Sequence, residues 1–215
     1  MKAGPLLDVA GFVLAGGRSA RMGRDKALVE LHGRPLAALA VELLQGAGLS
    51  ASMAGARSDL GAFAPVIADQ SADEGPLGGV CSALASTDAE LAVFIPVDLP
   101  LLPATLLTSL VADALITGAA VTLTSLNGFA QTFPVVVRTS LAALLQRELE
   151  AGRSGCFAAF QAAAEQSGEV VRVIPVEMLA QAGQVFDHHV VPAYRWFLNV
   201  NTSSDVERAA RLRVS

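Results

Sequence analysis

Two runs in this 215-residue chain are apolar at every position, Val9 to Ala15 and Leu91 to Val97. A strand with one face in water alternates apolar and polar residues, so runs that do not alternate must be covered on both faces. Helix-like stretches separate them, which predicts an α/β fold: a mostly parallel sheet with helices on both faces. The composition agrees. Hydrophobic residues make up 53% and charged residues 16% of the chain, against about 25% charged in ordinary domains. No internal repeat, low-complexity tract or linker breaks the pattern, so residues 1–215 are expected to form one domain.

The same apolarity raises the question of a membrane. Residues 114 to 137 form an uncharged stretch of 24 residues, long enough to cross a bilayer. They also contain Gly118, Gln131, Pro134 and an Asn127-Gly128 pair, the signal for a hairpin turn between strands at 119–126 and 130–137. No span is expected, and the expected location is cytoplasmic. A formal charge of −5 and a pI near 5.2 argue against a nucleic-acid partner. Cys81 and Cys156 show no metal-ligand spacing and read as small buried side chains. His32 falls in a turn, and the adjacent His188 and His189 cannot both face one site from a strand, so none is expected to be catalytic.

Periodicity and punctuation predict further helices over 34–47, 76–86, 103–117, 139–151, 154–166 and 203–212. Strands are expected over 50–55, 64–68 and 170–175, with a short one ending near Asn199. Ligands of parallel sheets bind beyond the carboxyl ends of the strands, so polar residues just after strands carry most weight.

Directly after the first run comes Gly16-Gly17-Arg18-Ser19-Ala20-Arg21-Met22-Gly23-Arg24-Asp25-Lys26. Residues 18 to 26 hold four of the chain's 15 basic side chains. Glycines let backbone N–H groups approach a ligand, and the arginines and lysine add charge-assisted bonds to oxyanions. Together they describe a cradle for a polyphosphate. Neither GxxxxGK[ST] nor GxGxxG is present, which disfavours a Walker ATPase and a dinucleotide-binding dehydrogenase.

Asp98 ends the second apolar run, where an unpaired carboxylate is costly to bury. A Mg²⁺ ion held by this one carboxylate plus ligand phosphates would satisfy it; a turn or cap aspartate before Pro100 is the plain alternative. Near the C-terminus, Thr202 or Ser203 reads as the cap of the last helix, with Asp205 in its first turn. Capping does not account for Asn199 and Asn201, which are candidates to complete a metal or phosphate shell. Asp69 follows a strand candidate, and the loop from Asp73 to Gly79 is a candidate nucleoside contact.

Leu14-Ala15-Gly16-Gly17, Arg21-Met22-Gly23, Asp25-Lys26 and Gly33-Arg34-Pro35-Leu36 together resemble the signature of the molybdenum cofactor guanylyltransferases, of the nucleotidyltransferase superfamily. The resemblance continues through Val66 to Asp69, Gly75 to Gly79, Pro96 to Pro100 and Phe197 to Thr202. It implies a Rossmann-like fold and transfer of GMP from GTP to Mo-molybdopterin with release of pyrophosphate. It also implies that Leu14, Ala15 and Gly16 hold the nucleotide through their backbone, in the loop that Gly17 continues. Lys26 would hold its phosphates, Asp69 another part of it, and Asp98 both nucleotide and Mg²⁺, with Arg21 the loop arginine of the motif. Arg21, Lys26 and Asp98 are thus the expected catalytic set. Gly16, where cytidylyltransferase relatives typically carry Ala, points to GTP. Two places depart from the family pattern: Ala54-Gly55-Ala56-Arg57 stands where an Asn-Ala-Asn-Arg-like strand end is usual, and Ala130-Gln131-Thr132 where His-Pro-Thr is usual. A cytidylyltransferase or another small-phosphate nucleotidyltransferase is the nearest alternative, and a non-catalytic nucleotide-binding factor in molybdoenzyme maturation is another. Maturation proteins would be partners in either role.

Overall fold

Both all-apolar runs lie at the centre of a seven-stranded sheet. The computed structural model describes residues 8–15, 25–55, 58–67, 75–153, 155–187 and 191–212. In chain order, β1 (Val9–Leu14) leads to a 3-10 turn (Lys26–Leu28) and a small hairpin of β2 (Glu30–Leu31) and β3 (Arg34–Pro35). Helix α1 (Leu36–Gly46), β4 (Ser50–Ala54), a 3-10 turn (Ser58–Ala62), β5 (Val66–Ile67), α2 (Gly75–Ala85), β6 (Leu91–Pro96) and α3 (Ala104–Thr117) follow. The C-terminal half contributes β7 (Val121–Leu126), β8 (Phe129–Arg138), a 3-10 turn (Thr139–Leu141), α4 (Ala142–Glu150) and α5 (Cys156–Ser167). The chain then runs through β9 (Val171–Pro175), α6 (Val176–Gln181), α7 (Ala193–Trp196) and α8 (Ser203–Leu212).

The strand order is β5-β4-β1-β6-β8-β7-β9, and every pairing is parallel except the two made by β8. Alternate residues of the central strands feed two separate cores. Val9 and Val13 of β1 and Leu91, Val93 and Ile95 of β6 face a core closed by α1, α3 and α8. Phe12, Leu14, Ala92 and Phe94 face a second core closed by α2, α4 and α5. Across that face the rings of Phe12 and Phe94 stack with centroids 5.3 Å apart. Val13, Ile95 and Phe94 are fully buried, each worth about 1.5–3 kcal/mol relative to exposure.

Between Val9 and Val13 on the α1 face, position 11 has room for glycine alone. A Cβ there would lie 2.4 Å from the Ser50 carbonyl oxygen and 3.0 Å from Leu44 Cδ2. On the opposite face, Glu148 of α4 is buried and accepts from Arg153 at 2.8 Å and Gln166 at 2.9 Å, which ties α4 to α5. Arg153, and secondarily Gln166, hold its carboxyl below the usual carboxylate value against the opposing effect of burial.

The uncharged stretch 114–137 resolves into the end of α3 and the β7–β8 hairpin. Asn127 and Gly128 both have positive φ, 50° and 80°, the geometry of a two-residue hairpin turn. Among the described residues no helix is long and apolar enough to cross a membrane. Two sequence expectations need correction. Helix α1 starts at Leu36 rather than at 34, because Arg34 and Pro35 pair with Glu30 and Leu31 and Pro35 remains extended at φ −57°, ψ 141°. The strand expected to end near Asn199 does not form: α7 ends at Trp196 and residues 197–202 are irregular. Strand β6 already pairs with β1 on one edge and β8 on the other, so no sheet edge is open to them there.

Candidate functional site

From β1 the chain moves to one side, through β4 and β5, and then crosses to β6 on the other side of β1. That reversal is a topological switch point, where the carboxyl ends of two neighbouring strands diverge and leave a crevice. Backbone bonds extend the sheet past these ends: Val97 N donates to Leu14 O at 3.2 Å, Ala15 N to Ala54 O at 3.2 Å, and Gly55 N to Ile67 O at 3.2 Å. Above them lies a cleft of about 610 Å³, within the range of small-molecule sites.

Its floor is Leu14 and Pro96, and its charged side is Lys26 and Asp98. One wall is made by Gly55 and by Gly75, Pro76 and Gly79 from the first turns of α2, so the positive end of that helix borders the cleft. The other wall is Ala130 to Phe133 of β8, with Phe197 and Asn199 beside it. This wall comes from an irregularity in the hairpin. Leu123 pairs with Val135 but Thr124 pairs with Gln131, so Thr132, Phe133 and Pro134 have no partner residue on β7. Pro134 cannot donate to a ladder, and such bulges re-aim side chains near functional sites.

Lys26 and Asp98, 72 positions apart in sequence, meet at Nζ–Oδ2 2.7 Å. Each side chain is about one-fifth exposed, at 19% and 20%. Lys26 opens the 3-10 turn, which Asp25 caps by accepting from Ala27 N at 3.0 Å. Lys26 Nζ also donates to Asn201 Oδ1. Asn199 borders the cleft, whereas Asn201 is not part of its lining and meets it through Lys26. Val200 between them is fully buried, and its N–H donates to the Asp98 carbonyl at 2.9 Å.

The expected cap of α8 is a reciprocal pair. Thr202 Oγ1 accepts from Asp205 N at 3.2 Å, while Asp205 Oδ2 accepts from Thr202 N at 2.9 Å and Thr202 Oγ1 at 2.8 Å. It also accepts from Asn201 N at 3.1 Å. The Thr202 hydroxyl first, then these two amides and the Arg208 charge, hold the Asp205 carboxyl below its ordinary value, against an opposing effect of burial.

Of the other expected residues, Leu14 lies in the cleft floor and Ala15, which follows it, is buried and outside the lining. The Leu14 carbonyl and the Ala15 amide already serve the sheet extension, so Ala15's carbonyl is the next backbone group along the chain. Gly16, Gly17, Arg21 and Asp69 lie outside the described residues, as do His188 and His189. His32 Nε2 donates to the Ala210 carbonyl at 3.0 Å and is no part of the cleft lining. Cys81 and Cys156 are buried thiols, as expected; burial first, then the neighbouring Cys81, pushes Cys156 up to about 12.

Among the described residues no cluster of three or more His, Cys, Asp or Glu side chains could cage a metal. Oxygen donors line the cleft on both sides, the Asp98 carboxylate and the Asn199 amide on one and Gln131 and Thr132 on the other; the carboxylate and the amide beside Lys26 are hard ligands, which fits a Mg²⁺ ion completed by phosphates and water. The sequence reading named Phe197 only as the start of the Phe197–Thr202 run and did not single out Phe133. Phe133 carries no local signal, since sheet order and the β8 bulge bring it to the cleft.

Fold and cleft together define the class: an α/β protein with a ligand crevice at the switch point of its sheet. The chain belongs to the MobA-like NTP transferase family, whose model matches residues 11–166. It is 49% identical over 106 residues to a molybdenum cofactor guanylyltransferase of Xanthomonas euvesicatoria pv. vesicatoria (strain 85-10), covering 48% of this chain and 54% of that protein. It is 34% identical over 151 residues to one of Shewanella halifaxensis (strain HAW-EB4), covering 67% and 75%. The chain thus spans about half the length of the first relative and three quarters of the second. Molybdopterin-guanine dinucleotide biosynthesis protein A of Archaeoglobus fulgidus shares the fold, with TM-score 0.74 over 94% of this chain and 97% of that one at 21% identity.

Proposed function

We propose that this protein transfers GMP from GTP to Mo-molybdopterin, forming the guanine dinucleotide of the cofactor and releasing pyrophosphate. The observation that carries the reading is the Lys26–Asp98 pair, set at the switch-point cleft beside the positive end of α2. Family membership and the names of the two guanylyltransferase relatives support the choice of substrates.

An acceptor phosphate monoester is already largely ionised at neutral pH, its second pKa being about 6. Its oxygen bonds to the α-phosphorus of GTP, the bond from that phosphorus to the bridging oxygen breaks, and pyrophosphate leaves with the electron pair. No proton has to be removed first, which suits a cleft whose described lining holds no histidine. The obstacle is bringing two anions together. Lys26 meets the phosphates with a fixed positive charge, the first turn of α2 offers its helix end, and Arg21, as the family resemblance implies, adds a further charge. Asp98, with Asn199 beside it, would hold Mg²⁺, which supplies neutralising charge to the triphosphate when bound. The base would sit toward Leu14, Ala15 and Gly16, with Asp69 on another part of the nucleotide and the acceptor along Ala130 to Phe133.

Thermal shift with Mg²⁺ and GTP, CTP or ATP tests the base, and pyrophosphate release with Mo-molybdopterin tests the reaction. Stabilisation by GTP and turnover with that acceptor are expected. A shift with CTP alone would assign the cytidylyl reaction instead, and GTP binding with no pyrophosphate release would leave a nucleotide-binding factor.

A further inference from the structure

The geometry points to Asn201 as a positioning residue for Lys26, itself held in place by Asp205 at the start of α8. Lysine is a point charge on a flexible four-carbon stem, so its location is set by what its ammonium contacts. The ammonium has three donors. One goes to Asp98 Oδ2 at 2.7 Å and one to Asn201 Oδ1. Among the described residues the third has no partner, and on the functional reading above, on which this inference rests, it meets a ligand phosphate.

The two acceptors differ in kind. Asp98 pairs with the ammonium charge, whereas an amide oxygen accepts its hydrogen without cancelling any charge. Asn201 therefore directs Lys26 while leaving it positive toward the cleft. Asn201 is exposed and belongs to no strand, so something else must hold it. Its own N–H donates to Asp205 Oδ2 at 3.1 Å, and the preceding residue is buried and bonded to the Asp98 carbonyl at 2.9 Å. Asp205 gathers the amides of residues 201 and 202 and the Thr202 hydroxyl on a single oxygen. The line of contact runs from the α8 cap through Asn201 and Lys26 to Asp98, with Asn201's side-chain oxygen committed to the lysine.

The sequence makes this testable without any catalytic assay, because it contains two lysines only, Lys2 and Lys26. Limiting acetic anhydride followed by mass spectrometry gives the acetylation rate of Lys26 relative to Lys2 within one sample of the full chain. Asn201→Ala should raise that ratio by about two- to tenfold, the scale of one hydrogen bond. Asp205→Asn should raise it in the same direction. The isosteric Asn201→Asp should lower it, because a second carboxylate pins the ammonium, yet weaken GTP binding measured by calorimetry as Asn201→Ala does. A purely structural residue would move the ratio the same way in both position-201 variants. That result, or an unchanged ratio in both, overturns the proposal; circular dichroism confirms that each variant is folded. Failure of GTP to protect Lys26 in the unmodified protein would instead overturn the nucleotide role of Lys26, leaving its contact with Asn201 to be judged by the ratios.

Discussion

The Asp98 carboxylate needed a partner on sequence grounds alone, and Lys26 stood out in a loop dense with positive charge. What the sequence did not disclose is that each answers the other. Their separation of 72 positions is closed only by setting β1 against β6, and no periodicity reports strand order. Asn201 was legible as a residue that capping did not explain, though not as a partner of Lys26. Replacing either member of the pair should be functionally severe and structurally mild, since both side chains are partly exposed. Lys26→Ala and Asp98→Ala are each expected to lower kcat/KM for pyrophosphate release by at least about a hundredfold, in line with loss of electrostatic stabilisation, with thermal unfolding close to that of the unmodified protein. Activity within about twofold of the original would remove the pair from the mechanism.

At the scale of elements, legibility followed how local the signal was. The Asn127-Gly128 hairpin and the last helix, Ser203–Leu212, were readable because turn and capping chemistry sit within a few residues. The supposed strand near Asn199 failed for a non-local reason, the prior pairing of both edges of β6. The bulge at Thr132 to Pro134 lay between these cases: Pro134 signals an interruption, but its direction depends on the neighbouring strand. The contact of α1 and β4 with β1 depends on a missing side chain. Gly11→Ala would put a Cβ 2.4 Å from a backbone oxygen that cannot rotate away. We expect a destabilisation of about 1–3 kcal/mol, the usual cost of overpacking, read as a lower urea midpoint with an unchanged m-value. An unchanged midpoint would mean that the strands separate freely at that point.

For the whole molecule, the apolar composition was accounted for by one sheet with a core on each face. If residues 1–215 fold as one domain, the two cores must melt together. The chain provides a reporter on each face. Trp196, its single tryptophan, is buried in the core beneath α1, α3 and α8, and Cys156 lies in the other core with its thiol pushed up to about 12, chiefly by burial. Tryptophan fluorescence and thiol labelling across a urea titration are expected to give coincident midpoints; separated midpoints would divide the chain into two units.

Strand β8 pairs with β6 only through Val135 to Arg138. Its first three residues, Phe129 to Gln131, therefore run past the end of β6 like a bracket fixed along one edge, with β7 as their sole sheet neighbour among the described residues, and Thr132 to Pro134 join them to the paired part. The half of the cleft that carries Lys26 and Asp98 is built on the ladder itself, and the facing half on this overhang. Side chains can vary along the overhang without passing any change to the pairing of β6 with β1 or β8. One wall of the cleft is thus free to be redrawn for a different second ligand while the charged wall keeps its shape.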